Sequence, residues 1–268
     1  MTASRRETQL IQAARLIKNG CCYIVGTGLP LLGAALGKRC FAPEAELLLE
    51  SGFIGVEPRE VPSSVTDLRL MCTAAVLWDS YRYMGFMTNH KHYGRHDLYA
   101  FIGGAQIDPY GNVNSTLIGD YASPRVRFAG SGGANGIASC CDTIIVMQHS
   151  RRRFVEKVDY LTSPGWLDGP GGREAAGLPG DKGPRKVVSD LGVMAFDETS
   201  RRMYLEGWYD YTTPEEIQEN TGFPLDMSRA KPIPPPDGEI LRILRQEIDP
   251  QGIFIGKDKD LEQTTTVK

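Results

Sequence analysis

The sequence predicts an α/β fold, an open and mostly parallel sheet flanked by helices. Three observations carry that expectation. Apolar runs at residues 21–25 and 46–49 are too short for helices, and each leads into a turn. Residues 29–38 between them have helical spacing, so strand, turn, helix and strand succeed one another and a parallel pair follows. Glycine, at 30 of 268 residues, exceeds its usual share of about 7% and clusters at strand ends without a fixed period.

Ser4 and Glu7 have capping-box spacing, and Leu10, Ile11, Ala14 and Ile17 recur on one face, which predicts a helix to Lys18 that ends near Asn19-Gly20. The strand at 21–25 then delivers Gly26-Thr27-Gly28 to the start of a second helix. A second strand at 46–49 carries Glu50-Ser51-Gly52 at its carboxyl end, where open α/β sheets bind ligands. Residues 71–77 and 81–87 alternate less cleanly and fit helix or strand. Strands are expected at 98–102, leading into Gly103-Gly104, and at 125–128, leading into Gly130-Ser131-Gly132-Gly133; the β-branched run 143–147 suits a central strand.

The 22 residues 163–184 hold seven glycines and four prolines, which predicts a long loop with no regular element. Residues 186–196 and 202–209 read as two strands paired through a turn at 198–200. Thr213, Pro214 and Glu216 supply the cap, first-turn proline and capping-box acid of a helix to about Asn220. A last helix runs over 237–248, with Ile240, Leu241, Leu244 and Ile248 on one face. The polar tail after about 256 is expected to fray. The whole, 1–268, reads as a single domain.

Lys+Arg of 30 against Asp+Glu of 33 gives a net charge of −3, with no basic excess for nucleic acid. No apolar run has the length of a membrane span, and no signal layout precedes the first helix. The six cysteines include the adjacent pairs Cys21-Cys22 and Cys140-Cys141 but no metal-like spacing, so reduced thiols in a cytoplasmic protein are expected and no metal site. His90, His92, His96 and His149 show no nucleophile-base pattern. Arg151-Arg152-Arg153 reads first as a solvated face, and alternatively as an intersubunit contact or an attraction for phosphate.

Three places can carry chemistry, each beside a plainer reading. Gly26-Thr27-Gly28 offers free backbone N–H groups to a phosphate, but Leu31 stands where a dinucleotide fingerprint wants a third small residue; a structural turn accounts for it equally. Glu50 follows three leucines and faces the ligand crevice of such a sheet, where a carboxylate can act as a nucleophile; a surface carboxylate is the alternative. The stretches 103–114 and 130–136 form the third. Gln106, Asn112 and Asn114 must pair with backbone or face a ligand, and Gly130, Gly132, Gly133 and Gly136 remove side chains from four of seven positions, for close approach to a ligand or for tight turns.

Together Gly26-Thr27-Gly28-Leu29-Pro30, Glu50-Ser51-Gly52 and the stretches 103–114 and 130–136 resemble the small, B-type subunits of the family I CoA-transferases, the glutaconate-acting group in particular. Thr162-Ser163-Pro164-Gly165-Trp166 and Asn220-Thr221-Gly222-Phe223 extend the resemblance over nearly the whole chain. It implies an open α/β fold shared with a larger, A-type CoA-transferase subunit, and an active site at their interface. Glu50 would be the covalent nucleophile, forming a glutamyl-CoA thioester in ping-pong transfer between an acyl-CoA and a short carboxylate, with glutaconate, 2-hydroxyglutarate and acetate as the suggested acids. Gly26, Thr27, Gly28, Gly130, Ser131, Gly132, Gly133 and Asn135 would line the CoA and acyl region, and Ser51, Gln106, Asn112 and Asn114 would orient the reacting groups or form a structural network. No tightly bound cofactor is implied; the CoA thioester is substrate and transient adduct. Hydrolytic and decarboxylating proteins of the fold lack the glutamate, which this chain retains. A nicotinamide-dependent oxidoreductase and a noncatalytic structural chain remain as alternatives.

Overall fold

The computed structural model describes residues 2–58, 64, 67–93 and 97–256. The single domain expected over 1–268 is organised as two compact units, one of Met1–Met84, Gly94–Asp97 and Pro235–Lys268, the other of Gly85–Tyr93 and Leu98–Pro234. The polar tail after 256 lies outside the described residues.

In the first unit, α1 (Arg5–Ala14) starts at the expected capping box: Ser4 Oγ accepts from Glu7 N at 3.2 Å, and Glu7 Oε2 accepts from Ser4 N at 2.8 Å. It stops earlier than Lys18 because Leu16 and Ile17 donate back only three residues, to Ala13 and Ala14, which tightens the chain out of α geometry. β1 (Cys22–Ile24), α2 (Leu29–Cys40) and β2 (Glu46–Leu48) follow, with Tyr23 level with Leu47 in the parallel pair. α1 and α2 pack so closely that a Cβ on Gly37 would meet Ile17 Cγ1 at 2.5 Å and Ala14 O at 2.8 Å. β3 (Phe53–Ile54), α3 (Leu68–Thr73) and β4 (Val76–Leu77) resolve the ambiguity at 71–77, β2, β3 and β4 pairing antiparallel in that order. α4 (Ser80–Tyr93) makes 81–87 helical.

The second unit holds β5 (Leu98–Ile102), β6 (Gln106–Ile107), β7 (Val113–Asn114), β8 (Leu117–Gly119), β9 (Pro124–Arg127), α5 (Ala134–Cys140) and β10 (Asp142–Val146). After them come α6 (Gly172–Ala175), β11 (Pro184–Val188), β12 (Gly192–Phe196), β13 (Met203–Tyr209), α7 (Pro214–Glu219) and β14 (Lys231–Ile233). β10, the β-branched run, is paired in parallel on both sides, by β5 and by β11, as its propensity suggests. β11, β12 and β13 continue antiparallel, and β14 pairs in parallel with β13. Ile107, Val113, Ile145, Phe154, Met194 and Leu205 are among the residues of its core.

Several expectations are corrected here. Residues 186–196 form two strands, because Ser189 Oγ accepts from Leu191 N and Gly192 N and donates to Gly192 O, closing a turn that continuous apolarity conceals. The strand expected at 125–128 is present as β9, which pairs with β8 in a separate two-stranded sheet, with Arg125, Val126, Arg127 and Phe128 all exposed. The loop 163–184 carries one helical turn, α6, and its last residue begins β11. The last helix, α8 (Gly238–Ile243), is capped by Asp237 and then widens to π geometry over Leu244–Ile248. There Arg245 ion-pairs with buried Glu7 at 2.6 Å, within the first unit. Among the described residues no helix is long and apolar enough to cross a membrane.

Candidate active site

Glu50 sits at the tip of a tight turn. Gly52 N donates to Leu49 O and Leu49 N donates to Phe53 O, both at 2.9 Å, so residues 49–52 reverse the chain between β2 and β3. Gly52 is buried with φ +86, and a Cβ there would run into the Trp78 carbonyl; Trp78 N donates to Gly52 O at 2.9 Å. The backbone under Glu50 and Ser51 is therefore anchored from below, and only glycine fits the anchor. Glu50 itself is exposed, and no hydrogen bond or ion pair to a described residue stabilises its carboxylate. Although its surface is exposed, neighbouring protein partly desolvates its carboxyl and pushes it above the usual range.

Parallel register carries Gly26-Thr27-Gly28 to the same end of the pair. Ile24 is level with Leu48, and Val25 N donates to Leu48 O at 2.9 Å, so Gly26 and Glu50 each stand two residues beyond a paired strand end. Gly28, φ +83, caps α2 without any side-chain hydrogen bond, and a Cβ on Gly26 or Gly28 would meet nothing within 4 Å. Conformation, not crowding, requires glycine at 28. Leu31 is fully buried in the core, so the third position of a dinucleotide fingerprint serves packing.

In the second unit Asn112 and Asn114 are saturated, and Gln106 is held through its Oε1. Asn112 donates to Asp108 Oδ2 and Leu167 O and accepts from Gly165 N and Leu167 N. Asn114 donates to Gln106 Oε1 at 2.7 Å and Leu117 O at 2.6 Å and accepts from Thr116 N, while Gln106 Oε1 also accepts from Asp159 N. These bonds fit the structural reading of Gln106, Asn112 and Asn114. Gly130 (φ +93) and Gly132 (φ +52) take left-handed backbone with open space around them, while Gly133 has an ordinary φ of −76 and caps α5. Gly130 N donates to Ser115 O, Ser131 Oγ to Gly132 O, and Asn135 Nδ2 to Thr162 O at 2.7 Å.

The Coenzyme A transferase family profile matches residues 7–220 of this chain. The chain belongs to that family. It is 54% identical over 252 residues to the B-type subunit of glutaconate CoA-transferase from Acidaminococcus fermentans, covering 94% of this chain and 95% of that protein. It is 38% identical over 221 residues to the B-type subunit of 3-oxoadipate CoA-transferase from Pseudomonas knackmussii, covering 82% and 83%. The crystal structure of glutaconate coenzyme A-transferase from Acidaminococcus fermentans is similar with a TM-score of 0.91 and 53% identity, over 95% of this chain and 98% of that one. The expected α/β class and the CoA-transferase resemblance are both met. Family membership makes the chain a transferase whose substrates are coenzyme A thioesters.

Five of the six cysteines are poorly placed as nucleophiles, the exposed Cys72 being the sixth. Burial pushes the Cys22 and Cys141 thiols up to about 12, and raises Cys21, Cys40 and Cys140 as well, so none of these offers a ready thiolate near neutral pH. His149 is buried between Ser189 Oγ and Thr221 Oγ1, each at 3.0 Å, and held neutral. His96 and the side chains of His90 and His92 lie outside the described residues. Arg151 and Arg153 donate to the Glu219 and Gly104 carbonyls. What sequence reading overlooked is Arg173, the one arginine between Trp166 and Pro184, whose side chain is fully buried. A lone arginine in a glycine-rich stretch was the available signal.

Proposed function

We propose that this CoA-transferase chain is the B-type subunit of a two-subunit enzyme and pairs with a larger, A-type subunit. Together they transfer CoA between an acyl-CoA and a short carboxylate, through a thioester on Glu50. The observation that carries the reading is a carboxylate with no partner among the described residues, presented on a turn anchored at Gly52. The Glu50 carboxylate attacks the thioester carbonyl and expels CoA thiolate, leaving a mixed anhydride. The thiolate attacks the glutamyl carbonyl, releases the first carboxylate and leaves glutamyl-CoA. A second carboxylate attacks that thioester, and the freed thiolate then takes the new acyl group, returning Glu50 to its ionised form. Backbone N–H groups of Gly26 to Gly28 and of Ser131 to Gly133 are the proposed donors to the successive oxyanions and to CoA, with Gly130, whose own N–H is held by Ser115 O, opening the loop, Thr27 and Asn135 shaping the same regions and Ser51 flanking the nucleophile.

Glutaconate or 2-hydroxyglutarate, exchanging with acetyl-CoA, are the proposed acids. Supporting them is similarity to a protein named for glutaconate; the relative named for 3-oxoadipate is more distant and is named for another dicarboxylate. The test uses the purified two-subunit complex with acyl-CoA. Isotope exchange into the free carboxylate is followed, and the intact mass of this chain is read before and after borohydride. The expected result is a hydride-labile CoA adduct on the peptide containing Glu50, absent in Glu50→Ala along with exchange. An adduct on Cys140, or substantial exchange by assembled Glu50→Ala, overturns the mechanism, and acyl-CoA cleavage that needs no acceptor assigns the site to a hydrolase.

A further inference from the structure

Arg173, on the one-turn helix α6, is 1% exposed, and a guanidinium at that depth needs partners for all five of its N–H donors. The partners are neutral carbonyls from two parts of the chain. Nε donates to Pro179 O at 2.9 Å, and Nη1 donates to Gly165 O at 2.9 Å and Pro164 O at 3.4 Å, so the loop 163–184 is folded around the cation. Nη2 donates to Ser139 O at 2.8 Å, and both terminal nitrogens reach Ala138 O at 3.2 Å. Ala138 and Ser139 belong to the last turn of α5, where helix carbonyls lack intrahelical donors and favour a nearby cation. The first turn of the same seven-residue helix is tied to the same segment, since Asn135 Nδ2 donates to Thr162 O at 2.7 Å. Both ends of α5 are therefore clamped, and Gly130 to Gly133 run directly into its amino end.

We propose that Arg173 is a positioning residue for the glycine loop: it holds α5 so that the backbone of Gly130 to Gly133 keeps the geometry that acyl transfer needs. The inference rests on the function proposed above for its kinetic consequence, but not for its structural one. The guanidinium touches no reacting atom and acts through the helix. Lysine keeps the charge but, with three donors on one nitrogen, cannot span five carbonyls from two segments.

The test compares wild type, Arg173→Lys and Arg173→Ala in the assembled two-subunit enzyme. Amide hydrogen exchange over residues 130–137 reports the clamp, and steady-state acyl exchange reports its use. In Arg173→Ala, protection at 130–137 is expected to fall by about 10-fold or more while the β10 to β13 core stays protected. The maximal rate is expected to fall by about 100-fold with KM for acyl-CoA nearly unchanged, as for misplacement of a stabilising group. Low concentrations of guanidinium ion should restore both readouts, where sodium chloride and urea do not, and Arg173→Lys should fall between. Unchanged protection overturns the proposal, as does faster amide exchange with a normal maximal rate. Failure of both variants to assemble, with no recovery in guanidinium, assigns Arg173 to folding alone and also overturns it. The Glu50 adduct is scored separately in wild type, so its absence would overturn the proposed mechanism while the exchange data still judge the clamp.

Discussion

At the scale of single residues, Glu50 is defined by a contrast between a rigid backbone and an unpaired side chain. Attack on a thioester needs the ionised carboxylate, and a raised pKa keeps the protonated form to higher pH. We expect the acid limb of kcat/KM for acyl exchange to report a pKa above the ordinary glutamate value of about 4.3. A pH–rate profile at constant ionic strength checks this, and a limb at or below that value would contradict it. Gly133 supplies a second test. Its φ of −76 accepts alanine, whereas Gly132 at φ +52 does not, where an alanine costs about 1 kcal/mol or more in strain alone. Gly133→Ala should therefore assemble normally yet lose about 100-fold in exchange if a Cβ intrudes where the acyl group lies. A near-normal rate in the assembled variant would assign this glycine to the turn. The place of Glu50 on a turn after a buried strand was legible in the sequence because its signal, an apolar strand ending in an acid and a glycine, is local. Arg173 was not, because its acceptors lie as far as 35 residues away.

Among the elements, the α1 and α2 pair shows where propensity and packing disagree. Alanine in place of Gly37 would gain about 1 kcal/mol of helix propensity, but its Cβ would press on Ile17 and the Ala14 carbonyl, and overpacking of that kind costs about 1–3 kcal/mol. Packing wins where backbone is the obstacle, since a carbonyl cannot turn away as a side chain can. Gly37→Ala should lower the thermal unfolding midpoint by a few degrees, read by circular dichroism; an unchanged or higher midpoint would show that the helices separate freely. Helix starts were readable where a capping box announced them, at Ser4 and Thr213, but not at Asp67, whose side chain caps α3 by accepting from Arg69 N. The turn at Ser189 was not readable, because apolar residues continue through it, and it is closed by the Ser189 N to Gly192 O bond together with the Ser189 hydroxyl's bonds to Leu191 and Gly192. The strand at 125–128 was readable, but its partner was not: strand pattern says that residues extend, not which strand they pair with.

At the scale of the whole molecule, two buried groups in the second unit oppose one another in acid. His149 lies flat against Phe154, with ring centroids 3.7 Å apart, and burial lowers its pKa to about 3. Between that value and the unfolded value of about 6.5, the unfolded chain binds a proton that the native chain does not, so stability falls on acidification by up to about 1.4 kcal/mol per pH unit. Asp108 acts the other way. Burial raises its carboxyl to about 6, so from there down to about 4 the native chain holds the extra proton and gains stability on acidification. The two slopes offset each other between about pH 4 and 6, and below that range His149 acts alone. In His149→Gln, stability from urea unfolding should rise as pH falls from about 6 to 4, relative to wild type, by about 1 kcal/mol per unit. Parallel pH dependences would show that His149 titrates normally.

Local sequence pattern was enough for the α/β class, the order of strand, turn and helix through residue 52, and the placing of Glu50 beyond a buried strand. Each depends on patterns within about ten residues, where burial periodicity and capping act directly on local conformation. Long-range contacts were needed for the division into two units, for the saturation of Asn112 and Asn114 and the hold on Gln106 Oε1, and for a loop without predicted structure to organise around Arg173. Those outcomes depend on which distant carbonyls and amides meet once the core has formed. A buried polar group must find partners, but its residue type does not say which ones.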